Sequence, residues 1–160
     1  MEFTVYRAVF SEYANDPLPS RSQSGRFHGA RNGPMTTYLA ESPRTAWREV
    51  TVRWRAQKAA YRMVHVEANL NRVLDLTESA VQLARGIDAR FLVAPEYPPC
   101  QLLAETIRSE GFEAIRTYSA ADYPAGRQLV VFLNSLDATS SLSVVAIRDV
   151  EGSLRKWSIR

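Results

Sequence analysis

Residues 25–50, GRFHGARNGPMTTYLAESPRTAWREV, decide the fold. A loop rich in glycine and arginine runs into a short apolar stretch, Met35 to Ala40, which breaks at Ser42-Pro43 and resumes with helical periodicity. Serine caps a helix, and proline at the first helical position gives up an N–H that has no partner there, so a helix is predicted from Pro43 to about Gln57. Ala46, Trp47, Val50 and Trp54 form its apolar stripe, with Glu49 at the border. Strand followed by helix, entered from a cationic loop, sets three chemically loaded side chains in series: Arg26 in the loop, Tyr38 on the strand and Glu49 on the helix. Such a set can hold a phosphorylated ligand that carries a ring. Glu49 also has a plainer role open to it, an ion pair with Arg53 at i+4 worth about 0.2–0.5 kcal/mol.

Upstream, Phe3 to Phe10 alternates as a strand, and Arg7 falls on the face of Phe3, Val5 and Val9. A cation on an apolar face needs an anion, either a core carboxylate or a ligand phosphate. Residues 11–33 have turn composition and form a long loop. Its second half carries Arg21, Arg26 and Arg31 with no acid among them, interleaved with Gly25, Gly29 and Gly33. Close-approaching backbone with uncompensated cations makes an anion cradle, or else a mobile surface loop. No Gly-Lys-Ser/Thr follows, so it is not a P-loop, and it lacks the dinucleotide G-x-G-x-x-G.

Downstream, strands are predicted over Tyr61–Ala68, Val73–Leu76, Phe112–Tyr118 and Leu129–Leu133. Helices are predicted over Glu78–Ile87 and Leu102–Ser109, the latter stopped by Gly111, with APEYPPC as a turn. The tail, Leu142–Val150 and Leu154–Ile159, reads as one or two further strands. Strands alternating with two or three helices make one mixed α/β or α+β domain over residues 1–160.

Composition narrows the classes. An apolar fraction of 46% and a charged fraction of 23% suit a soluble globular chain, and no apolar run approaches the roughly 20 residues of a membrane span. The start, MEFTVYRAVF, has no basic region of the secretory kind. Cys100 is the only cysteine, which excludes an internal disulfide and suits the cytoplasm. With only His28 and His65 beside it, a zinc site is not expected. The net charge of +3 is too small to argue direct nucleic-acid binding.

Several motifs together resemble the RES domain family, named for an arginine, a glutamate and a serine. They are Tyr6-Arg7, GRF at 25–27, YLAESPRTAWREV at 38–50, GFEAIRTYSA at 111–120 and GRQLVVF at 126–132. Tyr38 and Glu49 stand eleven residues apart inside the family's Y-L-A-x-S-x-x-T-A-x-x-E-V frame. Arg26 falls at the GRF position, Arg7 matches an arginine of the first strand, and Ser119 fits the serine after the G-F-x-x-I strand, with Ser135 as the other claimant. The resemblance implies an α+β fold with a split β-core like that of ADP-ribosyltransferases. It also implies a toxin enzyme that breaks the nicotinamide–ribose bond of NAD, with water or inorganic phosphate as acceptor and no metal. The partner implied is an Xre-type helix-turn-helix antitoxin, and self-association is left open. On the same basis Arg26, Tyr38, Glu49 and Ser119 are expected to be catalytic, and Arg7, Arg26, Phe27 and Tyr38 to bind the dinucleotide. Transferases that modify arginine carry a second Glu or Gln two residues before the catalytic glutamate. Here that position is Trp47, which argues for a small acceptor. Transfer to a protein target and a non-catalytic nucleotide- or RNA-binding module are the competing readings.

Overall fold

The computed structural model describes all residues except 34, 53, 54 and 160, and only the backbone of 157–159. Seven strands form one sheet: β1 (Glu2–Phe10), β2 (Thr36–Ala40), β3 (Tyr61–Asn69), β4 (Val73–Asp75), β5 (Ala114–Tyr118), β6 (Arg127–Phe132) and β7 (Ser141–Asp149). Their order is β4-β5-β6-β2-β1-β3-β7, and only the β4–β5 pair is parallel. The helices are α1 (Pro43–Thr51), α2 (Ser79–Arg85), α3 (Ala89–Val93), α4 (Pro98–Ser109) and α5 (Val150–Ile159).

The sheet is split down its middle. β1 pairs with β3 over its whole length, from Glu2↔Asn69 to Phe10↔Tyr61, and β2 pairs with β6 from Thr36↔Phe132 to Ala40↔Gln128. Between β1 and β2 there is a single rung, Tyr6↔Ala40. Beyond it the two strands part, and residues 17–22 of the long loop fill one side of the gap. There the Ser20 N–H donates to the Thr36 carbonyl at 3.0 Å.

Strand alternation sorts the core onto two faces. Val5, Val9, Val64, Val66, Leu39, Leu129 and Val131 fill one. The other face is covered by helices in two groups. α2–α4 pack over Ile115, Val130 and Phe132, while α1 and α5 pack over Tyr6, Ala40, Tyr61 and Met63. The cleft opens between these groups, where the sheet itself is parted.

The start of α1 is as predicted: Pro43 occupies the first turn and the Ser42 hydroxyl accepts the Thr45 N–H at 3.1 Å. The helix ends at Thr51, six residues before the expected Gln57. Residue 57 is already extended, feeding a 3-10 turn (Lys58–Ala60) into β3. Trp54, assigned to the apolar stripe, and Arg53, the expected partner of Glu49, lie outside the described residues.

Three further expectations are corrected. There are five α-helices among the described residues, not two or three; α3 spans only five residues, too short to show periodicity. Its cap is Asp88, whose carboxylate accepts the Phe91 N–H at 2.9 Å. The APEYPPC turn already holds the start of α4, with proline in its first turn. Residues 154–159 are helix rather than strand, because Asp149 ends β7 and caps α5 through the Gly152 N–H at 2.5 Å.

Candidate active site

Tyr38 sits on β2 with its hydroxyl directed at the GRFH turn. Gly25 and His28 form an isolated bridge, with Gly25 N–H donating to the His28 carbonyl at 2.9 Å. From α4, the Gln101 side-chain amide donates to the carbonyls of Gly25 (2.8 Å) and His28 (3.2 Å), which anchors the turn. The turn returns two groups to Tyr38. The Phe27 N–H donates to the phenol oxygen at 3.0 Å, and His28 Nδ1 lies 2.7 Å from it. His28 Nε2 lies 3.2 Å from the Ser22 carbonyl. One proton arrangement satisfies all of these: Nε2–H donates to Ser22, the Tyr38 hydroxyl donates to Nδ1, and Phe27 N–H donates to Tyr38. It requires a neutral imidazole. Burial lowers the His28 pKa from 6.5, and the cations Arg108 and Arg7 push the same way against the Ser22 hydrogen bond. Burial raises the Tyr38 pKa above its ordinary 10, so the phenol stays protonated at any physiological pH.

Glu49 projects from the second turn of α1 and receives a hydrogen bond from the Ser119 hydroxyl to its Oε1. Ser119 is fully buried and precedes a 3-10 turn, Ala120–Asp122. That turn is tied back to the start of α1. The Thr45 hydroxyl donates to Asp122 Oδ2 at 2.8 Å and itself accepts from the Ser42 hydroxyl at 2.9 Å. Arg44 and Arg48 lie 3.7 and 3.6 Å from Asp122 Oδ1. One network therefore fixes both the helix that carries Glu49 and the loop that carries Ser119.

Two compartments meet at these residues. The larger, of about 450 Å³, occupies the split between β1 and β2 and is lined by Arg7, Arg21 and His28 among others. The smaller, of about 140 Å³, has Arg26, Ala120 and Ala121 on its walls. Tyr38, Glu49 and Gln128 line both. A carboxylate thus stands at a junction with an arginine on either side, a layout suited to a substrate whose reacting carbon becomes cationic between anionic groups.

The RES domain model matches residues 4–151. The chain belongs to the RES domain family. Among solved structures it is similar to the crystal structure of the M. tuberculosis MbcT–MbcA toxin–antitoxin complex, with a TM-score of 0.78 and 20% identity over 97% of this chain and 88% of that one. No curated protein matches it at a significant level.

Within this RES domain, the glutamate and serine expected from the motifs are in direct contact. The two arginines expected at the ligand are divided between the compartments. Arg7 is held by the Leu18 carbonyl and the Thr37 hydroxyl, both 2.6 Å from Nη1, so a carbonyl and a hydroxyl stand where a core carboxylate was one expectation. Its burial, with Arg21 nearby, lowers its pKa to about 10, which leaves it charged at neutral pH. Arg26 donates to the Ala94 carbonyl and lies 4.9 Å over the Tyr97 ring. The three loop arginines do not act as one cradle: Arg21 lines the larger compartment, Arg26 the smaller, and Arg31 neither.

Phe27, expected to bind the dinucleotide, reaches the site through its backbone. It is 1% exposed and packs in the core with Leu92, Ile107 and Phe132, so only its N–H serves the site. Ser135 lies beyond the far end of β6 from Gln128, whereas Ser119 touches Glu49. Trp47 packs edge-on against Tyr61 at 5.5 Å and takes no place at the junction. Sequence reasoning missed His28, Ser22 and Gln128. His28 had a signal, since it directly follows the GRF motif; Gln128 follows Arg127 at the polar start of an apolar strand, and only the ladder pairing with Ala40 brings it to the cleft. No cluster of three or more metal-ligating side chains occurs among the described residues.

Proposed function

We propose that the protein is a toxin enzyme that degrades NAD by cleaving the bond between nicotinamide and ribose. The observation that carries this reading is the Glu49 carboxylate, held by Ser119 at the junction of two arginine-bearing compartments. As the C1′–N bond breaks, its electron pair goes to the pyridinium nitrogen and nicotinamide leaves neutral. The ribose carbon becomes an oxocarbenium-like cation, which a carboxylate stabilises as in glycoside hydrolysis. Glu49 supplies that charge. Tyr38 offers its ring to the nicotinamide, and Arg7 neutralises the pyrophosphate. The acceptor is small: water or inorganic phosphate attacks C1′ with an oxygen, and Arg26 lines the compartment through which an anionic acceptor reaches it. Trp47, half-buried against Tyr61, stands where a second Glu or Gln would activate a protein guanidinium, and an indole cannot do so.

Membership of the RES family and likeness in fold to a chain of a toxin–antitoxin complex support the further reading that an antitoxin controls the enzyme. An Xre-type helix-turn-helix protein covering the cleft is the form we propose. A cytoplasmic site of action agrees with a chain in which no described helix is long and apolar enough to cross a membrane.

The test is proton NMR of NAD incubated with purified protein, with and without inorganic phosphate, beside Glu49→Gln. Nicotinamide released only when Glu49 is intact supports the proposal. Dependence on phosphate then identifies a phosphorylase and indifference to it a hydrolase. A folded wild-type protein that leaves NAD unchanged in both conditions refutes it.

A further inference from the structure

The larger compartment is ordered by chemistry along its length. Glu49 stands at the inner end and is the only carboxylate among the lining residues. Arg7 and Arg21 follow, and the two are close enough for their charges to interact. At the outer end lie Phe10, Tyr13 and two prolines, Pro17 and Pro19. β1 runs beside these groups, and at about 3.3 Å per residue Phe10 stands roughly 10 Å along the strand from Arg7. Its side chain lies on the opposite face of β1, against Tyr61, and both side chains reach the compartment because the sheet is parted there. A dinucleotide joined through the anomeric carbon has the same order: a developing cation, a pyrophosphate, then a base.

The outer aromatics are set in place before any ligand arrives. Phe10 stacks on the buried Tyr61 with centroids 4.5 Å apart and planes 25° apart, and meets Tyr13 edge-on at 6.3 Å. Tyr13 is in turn covered by the Arg21 guanidinium at 4.5 Å. Phe10 nevertheless remains 44% exposed, so the face of its ring away from Tyr61 is open to the compartment. A fixed ring with an open face costs little ordering when a flat partner stacks on it.

We propose that Phe10 and Tyr13 form an adenine-stacking subsite at the mouth of the split, by which the protein selects a dinucleotide over a mononucleotide. The proposal rests on the NAD reading of the same site and extends it to what lies beyond the pyrophosphate. Because stacking uses the face of the base and not its edge, the subsite takes other purines in place of adenine.

The experiment compares nicotinamide release from NAD and from nicotinamide mononucleotide, which lacks the adenosine half. Phe10→Ala is expected to lower kcat/KM for NAD about tenfold, mainly through KM, with no change for the mononucleotide. Phe10→Tyr retains activity near wild type, and the hypoxanthine dinucleotide is cleaved within a few-fold of NAD. An equal loss on both substrates assigns Phe10 to the fold and overturns the proposal, as does no loss on NAD. If wild-type protein releases nicotinamide from neither, the reaction reading fails separately, and calorimetric binding of ADP-ribose decides the subsite. Binding weakened about tenfold in Phe10→Ala sustains it; equal binding by both, or none by wild type, overturns it.

Discussion

The Tyr38 hydroxyl is placed by a histidine that must stay neutral, and this makes a pH dependence. Protonated His28 would donate from both nitrogens and could no longer accept from the phenol. Its folded pKa lies below the ordinary 6.5, so its contribution to the site is complete above 6.5 and is lost as pH falls through the lower folded value. Wild-type kcat/KM is expected to show an acid limb with its midpoint below 6.5, measured by nicotinamide release. His28→Ala should lower the rate at neutral pH and flatten that limb. An acid limb of the same midpoint in His28→Ala assigns it to another group. Gly25 is a second sensitive point, because a Cβ there would lie 2.7 Å from His28 Cε1 and 2.9 Å from the Tyr38 hydroxyl. Gly25→Ala is therefore expected to displace the phenol and cost about 100-fold in turnover, the scale of an ångström's misplacement. The thermal midpoint should fall by much less than that loss suggests. Arg7 shows what the sequence could say at this scale. Its face followed from alternation, but its partners did not, since a backbone carbonyl and a threonine hydroxyl leave no pattern in the chain.

Elements whose ends carry chemical punctuation were legible, and those held by distant partners were not. Ser42-Pro43 announced α1, and Gly111, at φ +89°, stopped the helix before β5 as expected. The end of α1 was misjudged because tertiary pairing fixes it: Phe10↔Tyr61 sets where β3 begins, and the chain must be extended to reach it. The contact of Ser119 with Glu49 joins elements 70 residues apart; family resemblance named both residues for the site but did not pair them. Its support can be tested at α1. Thr45→Val removes the donor to the buried Asp122 and is expected to cost about 1–3 kcal/mol, read by chemical denaturation. Activity should drop as well, because the same turn carries Ser119; full activity would show that Ser119 is placed independently. A second tie lies away from the cleft. Glu113, 2% exposed, accepts from the N–H groups of Asn71 (2.7 Å), Arg72 (3.0 Å) and Asp137 (2.8 Å), so it joins three connections. Burial raises its pKa, but the hydrogen bonds from Asp137, Ser140, Arg72 and Asn71 outweigh this and hold it below 4.5. Its stabilisation is therefore complete above pH 4.5 and fades as pH falls through the folded value. Glu113→Gln turns an amide toward these donors. It is expected to cost about 1–3 kcal/mol at neutral pH and to weaken the acid dependence of stability.

At the scale of the molecule, two half-sheets, β4-β5-β6-β2 and β1-β3-β7, are joined across the middle by one rung. Side chains and loop do the rest, with Arg7 reaching Thr37 across the gap and Ser20 occupying the Thr36 carbonyl. ADP-ribose should therefore raise the thermal midpoint in proportion to RT ln(1 + [L]/Kd). Hydrogen exchange should slow most at residues 7–10 and 36–39, and uniform slowing across the sheet would argue against a ligand seated in the split. A ladder interrupted in this way behaves as a pair of jaws whose stiffness is lent by what they grip. In the function proposed above, substrate is the crosspiece that the polypeptide leaves out, and each turnover removes it by cutting it in two.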